Sequence, residues 1–455
     1  METTTLNSYL TGNFAPVLDE RDDVDLEVSG TLPPELEGLL VRNGPNPVLA
    51  PEPESYHWFL GDGMLHGIEL SKGRARYRNR WVRTDRACEA LGVPPPAGQP
   101  DDVFPAGSTP ANTAVTAHRG RIFALVEVSL PTEVGPDLRT IGRCDFDGAL
   151  RSSMTAHPKL DPRTGELVFF GYDVMGPPWL RYHVLDAHGV LVTSEPITIG
   201  GPAMIHDFAI TSSRVVWLDL PVVYDLSTIG QRPFPARWDP DYRARVGVMP
   251  RIGGDADVVW IDIDPCYVFH PVNAYDDADG NVVVDVVRYP DMFATDLFGP
   301  GANAGTTLDR WTIDPAAGTV ATERLDDTSP EFPRIDERLT GQPHRYGYTV
   351  EVPVDEHWRD SAALRKHDFV RGRVERHDVG RGRHAGEPVF VPASPDSGED
   401  HGWVLSVVYD EARDTSDLVV VDATDFSAPP TATVHLRRRV PYGFHGTWLA
   451  GTSMG

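Results

Sequence analysis

A chain of 455 residues with a formal net charge of −26 and a pI near 4.9 has nothing with which to neutralise a phosphate backbone, which excludes nucleic acid as a partner. Its length is ample for a sizeable core, and large all-β folds of this size often run as one unit. Lysine occurs only at Lys72, Lys159 and Lys366, so a Schiff-base mechanism is hard to place.

Cys88, Cys144 and Cys266 show no motif spacing, which speaks for a reducing compartment and against a disulfide framework. The first residues, Met1-Glu2-Thr3-Thr4-Thr5-Leu6, carry neither the basic nor the apolar region of a secretion signal. No run approaches the ~20 apolar residues of a spanning helix. The expectation is a soluble, cytoplasmic protein, with peripheral membrane contact through an apolar patch as an alternative.

From Glu27 onward, short β-branched and aromatic runs are punctuated by Asp/Gly/Pro turns. Arg121–Val128, Leu167–Val174, Val215–Tyr224, Val258–Ile263, Val282–Arg288, Leu308–Ile313, Val404–Tyr409 and Leu418–Val421 each have the length of a strand. Between several of them lie hairpin signals: His118-Arg119-Gly120, Asp161–Gly165, Asp186–Gly189, Asp277–Gly280 and Asp314–Gly318. Helical patterns are few, at Pro33–Leu40, Asp85–Leu91, Tyr242–Val248 and His357–Lys366. Without βαβ alternation a doubly wound sheet is ruled out. Many antiparallel strands running on without a linker fit a β-propeller in one domain, residues 1–455. No repeat of the WD or kelch type fixes the number of blades. Pro94–Pro110 and Tyr242–Ile263 read as excursions from the meander, which on one face of a propeller build a lid or remain plain surface loops.

Four histidines stand in apolar or small-residue settings: Thr155-Ala156-His157-Pro158, Met204-Ile205-His206-Asp207-Phe208, Tyr267-Val268-Phe269-His270-Pro271 and Gly443-Phe444-His445-Gly446. A single buried histidine is ordinarily a hydrogen-bonded core residue. Four in matching settings, 49, 64 and 175 residues apart, point to one shared centre at which distant strands converge, since an imidazole needs both ring nitrogens satisfied and a metal takes one of them. Four neutral imidazoles leave the charge of a divalent ion to be balanced by carboxylates that accept the outer N–H. Glu127, in Leu125-Val126-Glu127-Val128, is the best candidate on pattern, because a carboxylate there is costly without a partner. Glu331 and Glu387 follow, although alone each reads as an edge-strand salt bridge. His57 and His66 flank Gly61-Asp62-Gly63, which reads as a tight hairpin turn, and stay outside the metal set.

These stretches resemble the carotenoid cleavage oxygenase family nearly end to end. The likeness is carried by Leu40–Pro47, Tyr56–Gly67, Ala156-His157-Pro158-Lys159, Ile205–Phe208, Phe269–Tyr275, Glu331–Ile335, Glu387–Pro392 and Phe444–Trp448. The resemblance implies a seven-bladed β-propeller with helical and loop lid insertions on the face above the metal. It implies one ferrous ion per chain, held by His157, His206, His270 and His445. It places Glu127, Glu331 and Glu387 behind His206, His270 and His445, and leaves His157 without a carboxylate. Thr113 falls where family members keep a threonine whose methyl group crowds an open iron position.

The implied reaction is oxidative cleavage of a C=C bond by O2 to two carbonyl fragments, with no general base required and no obligate protein partner. A hydrophobic tunnel is needed, for which Phe59, Phe104, Trp179, Phe234 and Phe293 are candidate walls, each with an ordinary packing role beside it. The stilbene-cleaving branch of the family typically keeps a lysine immediately before the first glutamate. Here that position is Val126, which favours a carotenoid or apocarotenoid, with a stilbene or other phenylpropenoid alkene as the alternative. Isomerisation without cleavage is a further outcome within the family. A non-enzymatic propeller serving as a binding scaffold is the reading from a different class.

Overall fold

The computed structural model describes residues 7–104, 109–293, 298–300, 305–352 and 363–455. Its strands form seven antiparallel blades and one separate two-stranded ribbon. The inner strands, one per blade, are β1 (Ala114–His118), β2 (Lys159–Leu160), β3 (Ala209–Ile210), β4 (Tyr267–Asp276), β5 (Pro330–Arg334), β6 (Val389–Pro392) and β7 (Gly446–Ala450). They pack side by side, β3 on β4, β4 on β5, β6 on β7 and β7 on β1.

The blade of β4 shows why sequence neighbours pair. Asp277–Gly280 turns β4 into Val282–Tyr289, which pairs with Thr307–Asp314, and Asp314–Gly318 turns that strand into Thr319–Asp326. Val282–Tyr289 is buried almost throughout, since neighbouring blades cover both of its faces, and it therefore reads as a continuous Val run rather than an alternation. The outermost strand, Thr319–Asp326, is largely exposed and carries Thr, Glu and Arg. The Arg119-Gly120 hairpin has positive φ at both residues, 55° and 75°, as a two-residue turn matching strand twist requires.

The ring is closed by both ends of the chain. β7 pairs with Gly38–Pro45, with Arg42 opposite Gly446 and Leu40 opposite Trp448. Glu27–Gly30 adds to the last blade by pairing with Ala432–His435. The C-terminal motif is therefore seated inside the first blade, and Asn43 N–H donates to the His445 carbonyl at 2.9 Å.

Of the four helices expected, one forms among the described residues. α1 (Asp85–Leu91) is capped by Thr84, whose hydroxyl accepts from Ala87 N–H, and ends at Gly92 in the left-handed region. Pro33–Leu40 instead runs through a turn into Gly38–Pro45, and Tyr242–Val248 becomes part of the strand Arg245–Pro250. His357–Lys366 lies partly outside the described residues, and its remainder belongs to the strand Ala363–Asp368. Tyr242–Ile263 is not an excursion, because Arg245–Pro250 and Val259–Asp262 are blade strands. The excursion lies just before it, where the ribbon Val222–Tyr224 and Ala236–Trp238 leaves its blade. No helix among the described residues is long and apolar enough to cross a membrane.

Candidate metal centre

The inner strands share one design. Thr113 immediately precedes β1, His157 and His206 lie two and three residues before β2 and β3, and His445 directly precedes β7. His270 and Glu331 lie within β4 and β5, and Glu387 sits two residues before β6. Each blade thus delivers one side chain to the axis, and Glu127 is added from the turn after Arg121–Leu125. Glu127 is thereby displaced from the strand expected for it.

The four imidazoles converge, with one nitrogen from each lying within 4.8 Å of all the others. His157 and His206 face each other with their Nε2 atoms 3.0 Å apart, and His270 Nε2 is buried without a hydrogen-bond partner. Behind three of the rings stands a carboxylate. Glu127 Oε1 lies 2.7 Å from His206 Nδ1, Glu331 Oε2 2.8 Å from His270 Nδ1, and Glu387 Oε1 2.8 Å from His445 Nδ1. The hydrogen bonds to Glu331 and Glu387 make the Nδ1 atoms of His270 and His445 the N–H donors, so their Nε2 lone pairs point inward, while Glu127 stands in close polar contact with His206. His157 has no such partner, since Asp207 Oδ2 is 3.8 Å from its Nδ1 and is occupied by Lys159, beyond hydrogen-bond range.

The electrostatics favour the same state. Burial pushes the Glu387 carboxyl up, but the Arg334 guanidinium and the His445 ring outweigh it and hold it at about 2. Burial likewise raises Glu127 and Glu331, and the His206 and His270 rings bring both below the usual carboxylate value. Burial, then the neighbouring rings, holds His157 well below its ordinary value and keeps it neutral. Four imidazoles with charged carboxylates behind three of them form a donor set for a divalent borderline ion. A metal–nitrogen distance of ~2.1 Å in octahedral geometry separates adjacent nitrogens by ~3.0 Å, the spacing that His157 and His206 already have. The residues present fit the expected group.

Three contacts were not anticipated. Tyr289 donates its hydroxyl to Glu331 Oε1 at 2.7 Å. Arg334 pairs with Glu387 at 3.2 Å and donates to the Gly446 carbonyl. Asp207 and Lys159 form an ion pair at 2.7 Å beside His157. Asp207 and Arg334 stand inside motifs that also carry a site residue, which was the available signal. His57 and His66 lie elsewhere, as expected: His57 Nδ1 accepts from Phe59 N–H, and His66 Nδ1 pairs with the Tyr77 hydroxyl. Gly61-Asp62-Gly63 is not a hairpin turn. Gly38–Pro45 and Gly63–Ser71 are joined by a long segment, in which Asp62 accepts from Val48 N–H and Arg86.

One side of the centre opens onto a cavity of about 360 Å³ bordered by His206, His270, His445, Glu127 and Thr113. Its walls are strongly apolar, among them Phe59, Phe104, Phe234, Phe269 and Phe444. Trp179 packs into another cluster, and Phe293 stands behind Phe59 and Phe234. Phe269 comes from β4 and Phe444 from just before β7, and the outer walls come from the excursions: the segment before Gly63, the stretch before β1, and the ribbon, whose loop supplies Phe234 and Pro235. Thr113 donates its hydroxyl to Asn112 Oδ1 and its carbonyl accepts from His445 N–H.

Comparison with known proteins adds four findings. Residues 14–450 match the family model described as retinal pigment epithelial membrane protein. The chain is 41% identical to a carotenoid cleavage oxygenase of Mycobacterium tuberculosis, covering 98% of each. It superposes on the lignostilbene dioxygenase of Pseudomonas brassicacearum with a TM-score of 0.88 at 30% identity, covering 97% of this chain and 98% of the other. For the cobalt-substituted Synechocystis ACO the TM-score is 0.84 at 29% identity, with 96% and 97% covered.

Proposed function

The chain belongs to the carotenoid cleavage oxygenase family, and from that premise we propose that it is a non-haem Fe(II) dioxygenase cleaving one C=C bond of a carotenoid or apocarotenoid with O2 into two carbonyl products. The observation that carries this reading is the four-imidazole cluster open on one side to an apolar cavity. We assign His157, His206, His270 and His445 as ligands of one ferrous ion per chain, in a single domain of residues 1–455. Bound there, iron supplies the activation of dioxygen.

The chain's own residues hold everything else in place. Glu331 and Glu387 fix the Nδ1 protons of His270 and His445 and so aim their Nε2 lone pairs, and Glu127 stands in close polar contact with His206. Tyr289 engages the second oxygen of Glu331, and Arg334 that of Glu387. Thr113 borders the reacting space with its hydroxyl already donated to Asn112, and so narrows the approach without offering a proton. The aromatic walls exclude water and hold an extended alkene against the centre. Ile229, 63% exposed at the margin of this cavity, is our candidate for a peripheral contact with the membrane from which an apolar substrate comes.

One observation favours the second reading, a stilbene or other phenylpropenoid alkene. Tyr224 borders the cavity, and its hydroxyl pairs with that of Tyr172 at 2.9 Å. With Tyr172 as the donor of that contact, the Tyr224 hydroxyl proton is available to an oxygen-bearing substrate. The deciding experiment offers iron-loaded protein a full-length carotenoid, an apocarotenal and a hydroxystilbene under 18O2, with mass spectrometry of the products. Labelled aldehydes from a polyene support the first reading and identify the cleaved bond. Cleavage of the stilbene alone overturns it in favour of the second.

A further inference from the structure

The centre has a second side. Beyond the residues delivered to the centre, side chains of the inner strands, among them Thr116, Lys159, Asn273 and Thr447, line a separate cavity of about 470 Å³ along the propeller axis. His157 borders this axial cavity and not the apolar one, His206 borders the apolar one alone, and His270 and His445 border both. The four nitrogens therefore stand as a partition between a strongly apolar chamber and one that mixes apolar with charged and polar side chains.

The charged side chains lining the axial chamber are three carboxylates, Asp207, Glu337 and Glu387, against two cations, Lys159 and Arg334. They are paired as Lys159 with Asp207 and Arg334 with both glutamates. Glu337 is 62% exposed and sits at the rim, whereas Glu387 is 3% exposed beside the centre.

We propose that this axial chamber is the path by which the divalent metal ion enters and leaves the four-histidine centre, separate from the apolar chamber that takes the alkene. A hydrated dication passing among the phenylalanine rings of the apolar chamber would lose most of its water with few oxygen ligands to replace it before the centre is reached, a penalty of several kcal/mol or more. In the axial chamber, hydroxyls, amides and carboxylates replace that water one ligand at a time, and the excess of carboxylate draws a cation inward. The division has a functional consequence: metal can be exchanged while the alkene chamber is filled.

This inference rests on reading the four histidines as a metal centre, and its test separates the two. Apo-protein, prepared by chelation, is mixed with Co(II), and uptake is followed in time by ligand-field absorption, with the final metal content measured independently. Glu337→Lys places a cation at the axial rim. It is expected to slow uptake about three- to tenfold at low ionic strength, the effect shrinking as salt is added, with the final content still one ion per chain. Thr447→Trp, which fills the axial chamber, slows uptake by about tenfold or more. Ile229→Lys, at the margin of the apolar chamber, leaves the rate within about twofold. Slower uptake in Ile229→Lys with no change in Glu337→Lys overturns the axial path. A parent protein that reaches no stoichiometric cobalt content overturns the metal centre itself, and the path with it.

Discussion

Glu387 and His445 are held at 2.8 Å although they come from adjacent blades that meet where the ring closes. The second carboxylate oxygen accepts from Gly446 N–H at 2.7 Å and faces Arg334, which belongs to a third blade. One side chain thus fixes an imidazole tautomer and ties three blades. Glu387→Gln keeps the shape but cannot serve both N–H donors with two oxygens. The expected outcome is a metal affinity or activity lower by about 10–100-fold, read by chelator competition. An unchanged metal dissociation constant would remove Glu387 from the centre.

His206→Ala removes one of the two nitrogens that face each other at 3.0 Å and leaves Glu127 buried without its ring. Equilibrium iron content is expected to fall from one per chain to near zero, and the buried carboxylate left without a partner lowers thermal stability as well. Metal analysis after dialysis decides it. A variant that retains stoichiometric iron shows that the other three histidines suffice and sinks the ligand assignment.

How much of this was visible in the residues alone differs from one feature to the next. The four histidines were legible because an imidazole in an apolar run demands an explanation, and distant runs of that kind can meet only at an axis. Glu331 and Glu387 were not legible on pattern, since each by itself reads as an edge salt bridge; the family resemblance carried them. The pair of Asp207 and Lys159 was missed because nothing local says that Lys159, on a two-residue strand, reaches back to a carboxylate 48 positions later. Tyr242–Val248 failed as a helix for a physical reason. Ala244, Val246 and Val248 alternate with period two and are all buried, which is a strand pattern with a weak helical overlay. Blade number was illegible from periodicity, because the blades share a topology and not a repeated sequence; the resemblance supplied the seven that form.

The three cysteines should be inert in the native protein. All are buried and unpaired. Burial pushes the Cys266 thiol up to about 11 and raises Cys88 and Cys144 as well. Since the thiolate is the nucleophile, a disulfide exchange reagent at pH 8 is expected to find fewer than one reactive thiol per native chain and three after denaturation. Rapid reaction of a full equivalent in native protein would contradict the burial.

Val126 precedes Glu127 and borders the apolar cavity. Val126→Lys introduces an ammonium group into that wall, where it costs free energy unless a substrate oxygen engages it. The ratio of kcat/KM for a hydroxystilbene over an apocarotenal is expected to rise by about tenfold or more, chiefly through loss of the polyene activity. An unchanged ratio, measured by product chromatography, would mean that residue 126 does not meet the part of the substrate in which the two classes differ.

The last prediction concerns the joint between the two most distant motifs of the chain. A Cβ on Gly44 would stand 2.6 Å from Gly443 Cα, and one on Gly443 would stand 2.8 Å from the Asn43 carbonyl oxygen. Neither obstacle is a side-chain tip that could turn aside; both are backbone. This close approach lets Asn43 accept from Phe444 N–H at 3.0 Å and donate to the His445 carbonyl, so the position of one imidazole depends on the absence of two methyl groups. Gly44→Ala must push the 443–445 backbone outward. The expected costs are about 1–3 kcal/mol of stability and a weaker metal site, because His445 moves with its backbone. Gly254→Ala is the control, since a Cβ there meets nothing within 4 Å, and it should change stability by no more than about 0.5 kcal/mol. Thermal unfolding with and without metal reads both effects. If Gly44→Ala melts with the parent and binds metal as tightly, the closing joint yields without disturbing the centre, and the coupling between ring closure and His445 is wrong.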